Sequence, residues 1–90
     1  MKLLWTERAW SDYVHWQQTD TAILRRVNEL VRDTMRNPFK GIGKPEPLRN
    51  ELAGWWSRRI NGEHRLVYRV TGKNEGQALE IAACRFHYDH

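Results

Sequence analysis

Lys40, Lys44, Arg49, Arg58, Arg59, Arg65 and Arg69 fall in one stretch, and the chain closes on ACRFHYD followed by His90. A planar guanidinium fork matches phosphate better than a point charge does, so an arginine-dominated run favours a polyanionic partner. Arg85, His87 and Tyr88 add a cation, an imidazole that titrates near neutrality and an aromatic ring that can stack. Together with the glutamates these side chains suffice for acid–base chemistry on a phosphodiester without a metal ion. The plainer alternative is a solvated basic surface on an ordinary fold.

Other chemistries lack their signatures. Cys84 is the only cysteine, which leaves no internal disulfide and suits a reducing compartment. One cysteine and scattered histidines give no zinc-ligand spacing, and no metal or cofactor is expected. GIGKPE resembles a glycine-rich phosphate loop only superficially: it lacks the Walker spacing and the Gly-Lys-Ser/Thr ending, and it follows a helical pattern. No serine sits in a nucleophile elbow, and no helix-turn-helix or zinc-finger frame surrounds RRINGEHR. The opening MKLLWTERAW has no apolar run long enough for a signal peptide or a membrane span, which predicts a cytoplasmic protein with no membrane partner.

The elements that must position these groups follow from periodicity. Ninety residues with a formal charge of +4 predict one domain over 1–90 with one core and a thin stability margin. KLLW reads as a first strand, and Thr6 as the cap of a helix through ERAWSDYVHWQQ. Trp10, Tyr13, Val14 and Gln17 form the expected inward stripe of that helix, with Glu7, Arg8 and Asp12 pointing elsewhere. The pattern resets at Thr19 and Asp20. A second helix should then bury Ile23, Val27, Leu30, Val31 and Thr34, with Met35 beside them and Arg25, Arg26, Asn28, Glu29, Arg32 and Asp33 outside. Pro38 ends it, and NPFKGIGKPEPLRN reads as an ordered loop anchored by Phe39, Ile42 and Leu48.

The period then changes to two. WWSRRI, HRLVYRV and ALEIAACRFHY read as strands, the first two joined by a tight Asn61-Gly62 turn and the last two by the polar loop TGKNEGQ. With a short strand near Leu48, the expected fold is α+β: a mixed, mainly antiparallel sheet of four to five strands, with two N-terminal helices on one face. Parity places Arg65, Val67 and Arg69 opposite Leu66, Tyr68 and Val70. In the last strand it groups Ile81, Ala83, Arg85 and His87, unless a bulge reverses them. Trp55 and Trp56 should face opposite ways. His15, His64 and Cys84 read as structural residues.

MKLLWTERAWSDYVHWQQTD, NPFKGIGKPEPLRNELAGWWSRRINGEHRLVYRV and IAACRFHY, taken in order, resemble the YoeB (Txe) branch of the RelE-like toxin family over nearly the whole chain. The resemblance implies a RelE-like α+β fold and a toxin of a type II toxin–antitoxin system that cuts mRNA in the ribosomal A site. It also implies three partners: a cognate YefM-like antitoxin, the 70S ribosome with its mRNA, and a second copy of the chain in a homodimer. Carried onto matching positions, it makes Glu46 in KPEPL the general base, Arg65 in EHRLVY the phosphate-binding arginine and His87 in RFHY the general acid. Tyr88 completes that set, and Lys44, Arg49 and Arg59 are the further RNA- or phosphate-binding positions. Arg49 stands where the family often has lysine. The 71–77 connection is longer than is usual there, and Asp89 and His90 extend past Tyr88.

These roles are chemically coherent. RNA carries its own nucleophile in the 2′-hydroxyl. Cleavage needs a base for that proton, positive charge on the developing phosphorane and an acid for the departing 5′ oxygen. The expected products are a 2′,3′-cyclic phosphate, or the 3′-phosphate derived from it, and a 5′-hydroxyl. Two other readings use the same basic face: a non-catalytic nucleic-acid-binding module, and an interaction domain paired with an antitoxin or repressor. Glu46, which repels phosphate, and the His87–Tyr88 ending separate the enzyme from the pure binder.

Overall fold

Thr6 starts the first helix: its Oγ1 accepts the Ala9 N–H at 3.0 Å while its hydroxyl donates to the Ala82 carbonyl at 3.1 Å. Such a cap stabilises a helix by about 1 kcal/mol, and here it also ties α1 (Glu7–Thr19) to the sheet. The computed structural model describes residues 1–87. Asp20 ends α1 and opens α2 (Thr21–Arg36), donating its N–H to Trp16 at 3.0 Å and accepting from Ala22 and Ile23 at 3.1 Å. The α2 stripe is as expected, with Val27, Leu30, Val31 and Thr34 buried and Ile23 and Met35 at its margin.

Five strands follow the order β1-β5-β4-β3-β2: β1 (Lys2–Trp5), β2 (Glu46–Pro47), β3 (Trp56–Arg59), β4 (Arg65–Thr71) and β5 (Ala78–Ala83). β1 runs parallel to β5, and the other pairs are antiparallel. The helices cover one face of this mixed sheet. Leu66 and Tyr68 from β4 and Leu79 and Ile81 from β5 meet Ala9, Trp16, Val27 and Leu30 there to form the core. The α+β expectation holds, with the sheet at five strands.

Four details depart from the sequence reading. The inward stripe of α1 is Ala9, Asp12 and Trp16, whereas Trp10 is half exposed. The helix is turned this way because Asp12 and Trp16 satisfy backbone that the sheet leaves unpaired: Asp12 Oδ2 accepts the Cys84 N–H at 3.0 Å, and Trp16 Nε1 donates to the Cys84 carbonyl at 2.8 Å. Second, Tyr68 lies opposite Ile81 and Val67 opposite Ala83, so Ala82 is an inserted residue. This bulge sends Ile81 to the core face and Ala83 to the other, and the regular strand stops there.

Third, Asn61-Gly62 is not a two-residue turn. Neither residue has a positive φ, and Arg59 pairs with Arg65 across a five-residue loop. Ile60 donates its N–H to the His64 carbonyl at 3.0 Å, and Asn61 Oδ1 accepts the N–H groups of Glu63 and His64 at 2.8 Å. Burial of Ile60 and His64 draws both ends of the loop inward.

Fourth, Arg58 is a buried cation paired with the partly covered Asp33, and not a surface charge. Arg58 is fully buried on the helix side of the sheet. Its Nη1 meets Asp33 Oδ2 at 2.7 Å and the Ile42 carbonyl at 3.1 Å, and its Nη2 meets the Asn37 and Lys40 carbonyls at 2.7 and 2.8 Å. Its Nε donates to Tyr68 Oη at 3.2 Å, and that hydroxyl donates to the Pro38 carbonyl at 2.6 Å. One guanidinium thereby organises the loop before β2. Gly43 is needed in this loop: at φ 78, a Cβ there would stand 2.8 Å from Leu30 Cδ2. Its carbonyl accepts the Arg59 N–H at 2.6 Å.

Candidate active site

The sheet face away from the helices carries Glu46, Arg59 and Arg65. β2 is only two residues long, but its pairing sets Glu46 opposite Ser57 on β3, which is in turn opposite Val67 on β4. One row further along, Arg59 is opposite Arg65. Side chains opposite one another in a ladder share a face, so Glu46, Arg59 and Arg65 all project to the same side. Glu46 Oε1 stands 4.0 Å from Arg65 Nη1, the carboxylate half exposed and the guanidinium mostly covered. Among the described residues Arg65 Nε, Arg85 Nε and Ser57 Oγ are buried with no hydrogen-bond partner. A buried guanidinium donor left unpaired costs free energy, which an anion reaching it after the Glu46 contact opens would recover.

The other basic residues sort into two groups. Arg58 is committed to the loop, and Arg69 is held by Glu80 at 2.8 Å with its guanidinium 4.4 Å over Trp55. That contact uses Trp55, while Trp56 packs on the core and on Phe39. Lys44, Arg49 and Arg59 are exposed. Lys44 has φ 53, a left-handed conformation that turns the chain just before Glu46. Among the described residues none of these three forms an ion pair, and only Arg59 is placed directly across from another predicted site residue.

The C-terminal segment reaches this region through a chain of backbone contacts. After the bulge, Cys84 is held by Asp12 and Trp16 as described above. Phe86 takes φ 68; its N–H donates to His64 Nδ1 at 2.8 Å, and its carbonyl accepts the Arg65 N–H at 3.1 Å. His87, exposed, follows directly. Arg65 therefore faces Glu46 with its side chain and holds the residue before His87 with its backbone. Arg85 lies 4.5 Å over the Phe86 ring. Tyr88, Asp89 and His90 lie outside the described residues.

Sequence reasoning brought Glu46, Arg65, Arg59 and His87 forward but treated His64 only as structural and overlooked Ser57 and Asp12. His64 had one available signal: it directly precedes Arg65. Ser57 and Asp12 had none, since their roles depend on register and on contacts between segments far apart in the chain. Cys84 is buried, and desolvation, reinforced by the nearby Asp12 carboxylate, pushes its thiol up to about 12. A buried thiol held protonated at neutral pH is a poor nucleophile.

A carboxylate beside an arginine, with Arg59 across from it, has the groups to hold a phosphodiester and to take a proton from a neighbouring hydroxyl. Among the described residues no helix is long and apolar enough to cross a membrane.

Comparison with known proteins bears on the family and the fold. Residues 5–88 match the family described as the YoeB-like toxin of bacterial type II toxin-antitoxin system. Toxin YoeB of Escherichia coli K12 is 58% identical over 88 residues, covering 98% of this chain and all of the relative. The solved YoeB/ParE toxin from Agrobacterium tumefaciens superposes with a TM-score of 0.93 at 56% identity, over 98% of this chain and all of that one. YoeB of Staphylococcus aureus has been solved as a dimer and in a heterotetrameric YoeB-YefM complex. It is similar at TM-scores of 0.85 and 0.84 and 42% identity, with 98% of each chain covered. By family match, whole-length identity and fold, this chain belongs to the YoeB-like toxins of bacterial type II toxin–antitoxin systems.

Proposed function

We propose that residues 1–90 act as one unit, an endoribonuclease that cuts mRNA in the A site of the 70S ribosome. The observation that carries this is the 4.0 Å approach of Glu46 to Arg65 on the open sheet face, with an unpaired Arg65 Nε behind it. Glu46 takes the proton of the RNA 2′-hydroxyl as that oxygen attacks phosphorus. Arg65, assisted by Arg59 and Lys44, stabilises the charge on the pentacovalent phosphate, and Arg49 binds the backbone further along. The bond to the 5′ oxygen breaks, and His87 gives that oxygen its proton. Tyr88 orients the phosphate or stacks on a base. Proton and charge balance without an added reactant, leaving a 2′,3′-cyclic phosphate and a 5′-hydroxyl.

The same face suits a YefM-like antitoxin that shields the cations, and the dimer reported for the S. aureus toxin supports self-association of this chain. The reading is tested by alanine at Glu46 and at His87 in a translating extract. Each should lower cleavage at least about 100-fold, and wild-type rates in both variants would reject it.

A further inference from the structure

His64 is buried, adjoins Arg65 and is not used by the proposed chemistry, yet the segment bearing His87 hangs from it. We infer that His64 is a positioning residue for the general acid: it fixes Phe86, and through Phe86 the backbone from which His87 projects. The inference rests on the proposal that His87 is that acid.

Three observations support it. Phe86 has φ 68, a conformation a bulky residue keeps only when its surroundings over-determine it. Those surroundings are His64 and Arg65, consecutive residues that take up both backbone polar groups of Phe86. His64 Nδ1 accepts its N–H at 2.8 Å, and the Arg65 N–H donates to its carbonyl at 3.1 Å.

The imidazole is itself locked. Its ring stands edge-on to Trp16 at 4.8 Å, and the same indole holds the Cys84 carbonyl. The His64 backbone is tied at N–H and carbonyl to Asn61 and Ile60. His64 thus joins α1, the β3–β4 loop and the C-terminal segment.

The contact also dictates a tautomer. Because Nδ1 accepts, the neutral ring carries its proton on Nε2, which faces Glu63 Oε1 at 3.7 Å. Replacing the ring with leucine removes the acceptor and leaves the Phe86 N–H unpaired. Asparagine can present Oδ1 where Nδ1 stood. An acid acts on the leaving group only in the transition state, so misplacing it lowers kcat and leaves KM unchanged.

The test is steady-state cleavage of mRNA in programmed ribosomes by wild type, H64L, H64N and H87Q, with imidazole 15N spectra of the free toxin. Expected are an about 100-fold loss of kcat in H64L at unchanged KM, with recovery to within about tenfold of wild type in H64N. The spectrum should show His64 Nδ1 unprotonated and Nε2 protonated. Wild-type kcat in H64L alongside an inactive H87Q overturns the inference and leaves the ribonuclease proposal standing, whereas an active H87Q overturns that proposal itself. Equal loss in H64L and H64N overturns the positioning role. If H64L does not fold, H64N and the tautomer decide: an inactive H64N or a protonated Nδ1 overturns it.

Discussion

Glu46 and Arg65 meet at 4.0 Å across the full width of β3, one on the edge strand of the sheet and the other on the third strand from that edge. A half-exposed pair of this kind contributes little to stability, about 0–1 kcal/mol. It is therefore easily opened, and a phosphate can take the guanidinium while the carboxylate is freed for the 2′-hydroxyl. Arg65→Lys keeps the charge but loses the planar fork and the buried Nε. Cleavage should fall about 100-fold with the melting temperature nearly unchanged. Wild-type cleavage by Arg65→Lys would mean that a point charge suffices.

Arg58 should behave in the opposite way, governing stability more than chemistry. Arg58→Leu removes the donor from three loop carbonyls and from the Asp33 carboxylate, which keeps only the Ile42 N–H, and should cost about 3 kcal/mol when stability is read by urea unfolding. A loss under about 0.5 kcal/mol, the scale of a neutral surface substitution, would show that the network is incidental.

The pH dependence of that network has a definite sign. The hydrogen bond from Arg58, then that from the Ile42 N–H, hold the Asp33 carboxyl below its ordinary value of 3.8. A depressed acid stabilises the fold above its unfolded pKa and loses that contribution as pH falls through its lower folded one. Wild type should therefore lose stability below about pH 4 more steeply than Asp33→Asn, which lacks the contribution at every pH. Parallel acid-unfolding curves would contradict this.

Much of the framework was readable in the sequence because its signals are local. Thr6 and Asp20 cap the helices as their side chains require, the α2 stripe has the right period, and the change to period two marks the strands. What could not be read depends on tertiary partners. The bulge at Ala82 exists because Thr6 takes the Ala82 carbonyl and α1 takes both polar groups of Cys84. Asp12, a charged residue on a helix, looked solvated for the same reason. Arg58 seemed one more cation of a basic run until its carbonyl partners converged on it. In the site, Glu46 and Arg65 were identified by resemblance, and no residue spacing could have put them 4.0 Å apart, since that depends on the register of β2, β3 and β4.

Cys84 supplies a check on the buried end of β5. With its thiol pushed up to about 12 and its side chain inaccessible, it should resist iodoacetamide at pH 8 in the native toxin and react fully in denaturant, as read by intact mass. Rapid native alkylation would place the segment after Ala83 elsewhere.

On the proposed mechanism Glu46, Arg65 and His87 form one ribonuclease site. It is tested most directly by mapping RNA ends in a translating extract with wild type and His87→Ala side by side. Wild type should cut inside translated codons, leaving 5′-hydroxyl and cyclic or 3′-phosphate ends, and His87→Ala should give at least about 100-fold fewer such cuts. Equal cleavage by the two proteins, or 5′-phosphate ends, would contradict it.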